Sequence, residues 1–375
     1  MGESLPCYRL GDIADVAWGD TKTTKASYVK GGYPAYSAKG LDGYLPHYDY
    51  SNTGIVVSAI GANCGRSWLA RDKWSCIKNT IRILPRSELL DIEYLYWYFQ
   101  SGNKWQMRGS AQPFISQTDA RNLLVQLPPL SEQRAIAEVL GALDDKIEGN
   151  RKTASFIEEL LAMEFALAQF DSIHNNPVAL KDIIEVNPPR PRPNGKQAPY
   201  IDMNALPIDS ALVNEYAVRE PKSGSRFQNG DTVFARITPC LENGKAAFID
   251  CLEGSSIGIG STEFIVMRPK PSVPAQFAYF LARSERFREY AIKHMSGSSG
   301  RQRCPAESIG IYPIQQPDYN DLTAFGKKCD EGFSLMRSLL NESYLLALLR
   351  DTLLPKLLSG ELRIKDTKQL LELTV

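Results

Sequence analysis

A chain of 375 residues, 43% of them hydrophobic, can bury more than one core, and two domains is the natural expectation. Its mean hydropathy is −0.26 and no apolar run nears the roughly 20 residues of a membrane span, while the opening MGESLPCYRL lacks the charged region and apolar block of a secretory signal. Seven cysteines with no Cys-x-x-Cys pair argue against a disulfide framework, so a reducing compartment, most simply the cytoplasm, is expected.

Net charge is zero, but it is unevenly spread. Residues 1–130 hold 14 basic and 11 acidic residues, and residues 176–315 hold 17 and 14. Residues 131–175 hold 4 and 9, and residues 316–375 hold 8 and 9. Electrostatic binding needs a local patch rather than a basic total, so DNA stays open as a partner for the two mildly basic blocks.

In chain order, residues 1–130 form a first block in which TGIVVSAIG and NTIRILP have the β-branched character of strands, punctuated by KGGYP and KGLDGYLP. One helix is expected over Ile92–Gln106, with Trp97 and Trp105 as core. Residues 131–175 follow as a helical spacer. Ser131 is its expected N-cap and Glu132 suits the first turn. Apolar residues then recur at three-four spacing through Ile136, Leu140, Leu143, Ile147, Ala154, Ile157, Leu161 and Phe165 to about Phe170. A second block, residues 176–315, carries strand-like DTVFARIT, KAAFID and TEFIVMRP, with a helix expected over Pro274–Met295. Residues 316–375 form a second helical region, starting near Asn320 and Asp321 and carrying Phe325, Cys329, Phe333, Met336, Leu340, Leu345 and Leu349. Pro355 is expected to bend or end that helix and Gly360 to cap it. Rods of roughly 40 residues would be about 60 Å long, and their seams suit pairing as a coiled coil.

The chain also repeats itself. LGDIADV from Leu10 returns as LKDIIEV from Leu180, and EYLYWYFQSG from Glu93 aligns with QFAYFLARSE from Gln276. GSAQ at Gly109 is echoed by GSSG at Gly297, and LLVQLP ending at Pro128 by SIGIYP ending at Pro313. One architecture is used twice, block and helix, then block and helix.

LPPLSEQRAIAEVLGALDDKIEGNR and LLRDTLLPKLLSGELRI resemble the two shared helical regions of the DNA specificity (S) subunits of Type I restriction–modification systems. GDTVFARITPCLENGKAAF followed by GSTEFIVMRP is similar to one version of that family's second target-recognition domain. The resemblance covers essentially the whole chain. It implies an α+β fold: two mixed target-recognition domains of similar fold, separated by two long helices paired as an antiparallel coiled coil, with a pseudo-twofold repeat. It implies that each domain reads one half of a split double-stranded DNA site, and the pseudo-twofold repeat would set the two half-sites in opposed orientation. It further implies that the helices dock two methyltransferase subunits and that restriction (helicase-nuclease) subunits join. No cofactor is then expected on this chain, with S-adenosylmethionine on the methyltransferase and ATP and magnesium on the restriction subunit. A stand-alone DNA-binding or scaffold protein is the alternative, and a neighbouring adenine methyltransferase gene would argue against it.

The residues themselves offer little catalysis. NPPR at Asn187–Arg190 is close to the Asn-Pro-Pro-aromatic motif of amino-methyltransferases, but Arg190 replaces the aromatic that stacks on a flipped base. Glu220-Pro221-Lys222 with Asp209 has a proline where a nuclease needs a strand, and His47, His174 and His294 have no metal-ligand spacing. No phosphate-cradling Gly-x-x-x-x-Gly-Lys-Ser/Thr loop occurs.

Side chains on loops of the two basic blocks remain as DNA readers. In the first these are Tyr36, Ser37 and Lys39, then Arg66, Lys78, Asn79, Arg108 and Gln112. In the second they are Arg190, Arg192 and Asn194, then Arg236, Thr238, Lys245, Arg301 and Arg303. Arg pairs bidentately with guanine and Asn or Gln with adenine, whereas Lys and Ser mostly hold phosphate.

Overall fold

The computed structural model describes residues 5–109, 111–172, 177–193, 197–220, 223–254, 256–298 and 300–364. It divides into two compact units, residues 1–146 with 345–375, and residues 147–344.

In the first unit a four-stranded antiparallel sheet has the order Ala14–Trp18, Thr80–Pro85, Gly54–Ser58, Ser67–Ala70. Gly54–Ser58 is buried at every position, which is why it reads as an unbroken apolar run. A second sheet sets Tyr33–Ser37 between Gly40–Leu45, antiparallel, and Ser75–Cys76, parallel. Cys7–Arg9 pairs with Leu124–Gln126 and so brings the two ends of the block together.

The second unit repeats the plan. Its four-stranded antiparallel sheet has the order Ile184–Val186, Phe264–Pro269, Thr232–Ala235, Ala246–Phe248. Ala198–Ile201 pairs antiparallel with Ala217–Arg219 and parallel with Gly258–Gly260, as Tyr33–Ser37 does with its neighbours; Ser225–Phe227 is added at the edge. Val178–Ala179 closes on Pro313–Ile314. The α+β class and the internal repeat are as the sequence indicates.

The block helices differ from expectation. The first spans Ile92–Gln100 and not Ile92–Gln106, because Gly102 takes φ 118°, outside the helical region. Trp97 and Trp105 are both buried, Trp105 against Phe99 at 4.8 Å between ring centres. The segment expected over Pro274–Met295 forms two helices, Phe277–Arg283 and Glu285–Lys293. Ser284 lies between them with extended backbone, and its hydroxyl accepts from the Phe287 amide, so it caps the second helix.

The long helices are Leu130–Leu167 and Tyr319–Ser359, and both contribute residues to each unit. Ser131 is not the N-cap: the Pro129 carbonyl takes the Glu132 and Gln133 amides, which puts Ser131 inside the first turn. The second helix runs through Pro355 without ending. Pro355 has no N–H to give the preceding turn, but buried Leu353, Leu354 and Leu357 hold the last turn in place. Gly360 at φ 73° ends the helix as expected. In the first unit Ile136, Leu140 and Leu143 share one core with Leu353, Leu354, Leu357, Leu10, Ile13 and Trp97. Buried Gln133 joins helix to block, accepting from the Asp91 amide at 2.9 Å and donating to the Leu89 carbonyl at 2.8 Å.

In the second unit the helices run antiparallel. Asn150 donates to Glu342 at 2.7 Å, Glu164 pairs with Lys328, and Phe165 packs on Phe325 at 5.8 Å. At the close crossing between them, a Cβ on Gly332 would meet Leu161 Cδ1 at 2.9 Å. Phe165 sits in an aromatic group with Phe170, Phe277, Phe280 and Phe325. The Tyr279 hydroxyl donates to the Glu158 carboxylate, which also accepts from the Ala211 amide at 2.9 Å.

All seven cysteines are free. Cys7 is exposed, whereas burial pushes the Cys76 thiol up to about 12 and the Cys304 thiol up to about 11. Since the thiolate is the reactive form, iodoacetamide at pH 8 should alkylate Cys7 first and leave Cys76 and Cys304 unmodified until denaturant is added. Peptide mass mapping checks this. Early labelling of Cys76 would contradict the packing described.

Candidate nucleic-acid interface

In each unit, the loops that leave one end of the two sheets are tied together by backbone hydrogen bonds. In the first, Ala59 is the centre: its amide donates to the Asn79 carbonyl at 3.0 Å, and its carbonyl accepts from the Ile115 amide at 2.9 Å. The Gly61 amide donates to the Pro113 carbonyl, and Arg108 and Phe114 exchange both backbone hydrogen bonds at 2.9 Å. Asn63 extends the assembly to the hairpin after Tyr33–Ser37, its side chain donating to the Ala38 carbonyl at 3.2 Å.

All eight first-block candidates fall in this assembly. Lys39, Arg66, Lys78, Asn79 and Gln112 are exposed, and Asn79 has φ 70°, a backbone that asparagine accepts more readily than most residues. Ser37 is buried and donates to Asp42 at 2.8 Å, so its hydroxyl shapes the hairpin. Tyr36 is partly buried, with its ring edge-on to Trp74. Arg108 is exposed but paired with Asp119, whose carboxyl is lowered by the Ser116 hydroxyl and by Arg108 itself. Gly109 has φ 80°, and a Cβ there would lie 2.7 Å from the Gln112 carbonyl oxygen, so the turn requires glycine.

The second unit builds the same assembly from different residues. Arg236 takes the place of Ala59: its amide donates to the Glu263 carbonyl at 2.9 Å and its carbonyl accepts from the Cys304 amide at 2.9 Å. Thr238 donates to Gln302 as Gly61 does to Pro113, and Ser296 exchanges backbone hydrogen bonds with Arg303 as Arg108 does with Phe114. Lys245 Nζ donates to the Met203 carbonyl at 2.7 Å, the counterpart of the Asn63 bond. Arg236, Thr238, Lys245, Arg301 and Arg303 therefore come together, with Arg301 exposed.

Arg190 and Arg192 do not join them. The partly buried Arg190 and Arg268 side chains both lie beside buried Asp231, and Asp231 precedes strand Thr232–Ala235, whereas the assembly follows it. A buried carboxylate needs a cation, and Arg190 serves there. Arg192 lies with Gln197, Ser256 and Ile257, which precede strands Ala198–Ile201 and Gly258–Gly260, again at the end away from the assembly. Asn194, His174, Pro221 and Lys222 lie outside the described residues. The sequence reading missed Asn63, Glu263 and exposed Lys22. Lys22 is carried on a turn in which Asp20 accepts its amide at 2.9 Å while the Asp20 amide donates to Cys76. Among the described residues no group of His, Cys, Asp and Glu could hold a metal ion, and no helix is long and apolar enough to cross a membrane.

Residues 6–159 match the family described as Type I restriction modification DNA specificity domain. The type I restriction enzyme EcoEI specificity subunit of Escherichia coli is 37% identical over 100 residues, 26% of this chain and 17% of its own length. The EcoAI specificity subunit of the same organism is 31% identical over 144 residues, 37% of this chain and 24% of its own length. The MjaVIII specificity subunit of Methanocaldococcus jannaschii is 26% identical over 145 residues, 32% of this chain and 34% of its own length. The chain thus spans about a third or less of these curated relatives. The fold is similar to the crystal structure of a Type-I restriction-modification system S subunit from M. genitalium, with a TM-score of 0.60 at 16% identity over 94% of this chain and 95% of that one. The match to residues 6–159 takes in the first block and most of the first long helix, and the internal repeat extends the plan to the second block. Residues 6–159 are therefore similar to a Type I restriction modification DNA specificity domain, and the chain has the fold of a type I S subunit.

Proposed function

We propose that this chain is the DNA-recognition subunit of a type I restriction–modification complex, each loop assembly reading one half of a split DNA site. The observation that carries the reading is the doubled assembly: matching backbone hydrogen bonds hold two sets of loops whose exposed side chains differ. A fixed scaffold with variable tips is what two different half-sites require. The chain's own part is binding and orientation. Lys39, Arg66, Lys78 and Arg301 would hold phosphates or base edges, with Asn79 and Gln112 as adenine readers.

The long helices would carry the methyltransferase subunits. In support, the first long helix leaves Phe156, Leu160, Met163 and Leu167 exposed by 60% or more, at the spacing of a helical stripe. Restriction subunits would join that core. Methyl transfer from S-adenosylmethionine, and work that needs ATP and magnesium, would belong to those partners.

Purified alone with S-adenosylmethionine and DNA, the chain should transfer no methyl groups. Co-expressed with a type I methyltransferase subunit, it should direct adenine methylation to one bipartite motif, read by methylome mapping. Methyl transfer by the isolated chain, or methylation without a motif, would overturn the proposal.

A further inference from the structure

One cation in the second assembly is held in a way the others are not. The Arg303 backbone is fixed by its paired hydrogen bonds with Ser296, at 2.9 and 3.0 Å, beside Ile237. Its guanidinium is fixed as well. Nε lies 2.9 Å from both carboxylate oxygens of Glu263, Nη2 donates to Glu263 Oε1 at 2.7 Å, and Nη1 donates to the Arg301 carbonyl at 3.1 Å.

A guanidinium carries five N–H donors. Glu263 and Arg301 take the one on Nε, one on Nη2 and one on Nη1. One hydrogen remains on each terminal nitrogen, and the side chain keeps 41% of its exposure. Those two nitrogens form the planar fork that guanine N7 and O6 accept. The neighbouring carboxylate also bears on the choice between base and backbone: Glu263 offsets the positive charge and repels a phosphate placed beside it, so this arginine is poorly suited to hold the DNA backbone. In the first unit the corresponding positions are Phe114 and Asn79, so this pair has no counterpart at the matching places there.

We infer that Arg303 reads a guanine in the major groove of the half-site bound by the second unit, and that Glu263 is the positioning residue that sets the plane of its fork. The inference rests on the DNA-reading function proposed above and names a base for one of its loops.

The test maps methylation by the complex with its methyltransferase partner, comparing the unaltered chain with R303A, R303K and E263Q. R303A and R303K should each make one G·C pair of that half-site degenerate, with discrimination there falling roughly 5- to 150-fold and the other half-site unchanged. Lysine keeps the charge but replaces the planar fork with a single flexible ammonium, so folded R303K should lose most of the discrimination even if R303A folds poorly. E263Q should keep the same guanine with weaker discrimination at that pair alone. A merely structural pair would instead lower thermal stability and leave every preference intact. Unchanged preference in folded R303K, or a uniform loss of affinity with the salt slope reduced by about one, would overturn the inference and leave the DNA-reading function standing. An unaltered complex that methylates no defined motif would overturn that function itself.

Discussion

Exchanging residues 1–130 for the corresponding block of a relative should change one half of the methylated motif and leave the other half as it was. The expectation follows from where the candidate reading side chains are built. Every first-block candidate sits on the loops joined through Ala59, Gly61 and Asn63 or, for Tyr36 and Ser37, at the end of the strand leading into them, and all of these lie within the exchanged segment. Exchange of roughly residues 178–315 should do the converse, because Arg236, Thr238, Lys245, Arg301 and Arg303 are joined to one another in the same way. The structure adds a condition for success. The incoming first block must offer Gln133 the Asp91 amide and the Leu89 carbonyl, and it must cover Ile136, Leu140 and Leu143. A graft that left the Gln133 amide buried without partners would cost about 1–3 kcal/mol, and lost activity would then report misfolding rather than altered reading. Methylome mapping on soluble grafts settles the matter, and a swap that altered both halves of the motif would refute the two-reader model.

Replacing Phe165 with alanine should destabilise the second unit by about 3–5 kcal/mol. Phe165 is 3% exposed and its ring centre lies 5.2 to 6.0 Å from those of Phe170, Phe277, Phe280 and Phe325, which come from the turn after the first long helix, the block and the second long helix. Truncation removes the one ring common to all four, and groups attached to three separate elements cannot collapse easily into the void. Leucine at the same position should cost markedly less, because it refills most of the volume. Urea unfolding followed by near-ultraviolet circular dichroism measures both variants. A loss below about 1 kcal/mol for the alanine variant, well under the usual range for such a truncation, would mean that this aromatic group does not hold the unit together.

Much of this architecture was legible in the sequence because it rests on local, periodic signals. The three-four spacing that leads through Leu161 and Phe165 marks a real buried seam, and GSAQ and GSSG carry glycines at φ 80° and 124° at matching turns. What stayed hidden depends on partners distant in the chain. Nothing local separates Arg190 from Arg303: both are arginines in glycine- and proline-rich loops. One meets buried Asp231, 41 residues on, and the other meets Glu263, 40 residues back, on the partly exposed loop assembly. Gln133 likewise reads as an ordinary polar position on a helix, and only the fold of residues 89–91 beneath it makes it buried. Ser284 broke a helix because its hydroxyl accepted the Phe287 amide, a choice that neighbouring helix-forming residues do not reveal.

The Asn150 contact limits how this family of chains can vary in length. Its amide is buried against Glu342 and the Leu339 carbonyl, fifteen residues from Phe165 on one helix, while Phe165 meets Phe325 on the other. Both ends of that span are thus pinned, one by polar fit and one by aromatic packing. Sliding either helix would take the buried amide away from both of these partners. Insertions or deletions between Asn150 and Phe165 should therefore be inherited only with matching ones between Phe325 and Glu342, so that paired length changes, two segments far apart in the gene, mark lineages in which this span has been resized.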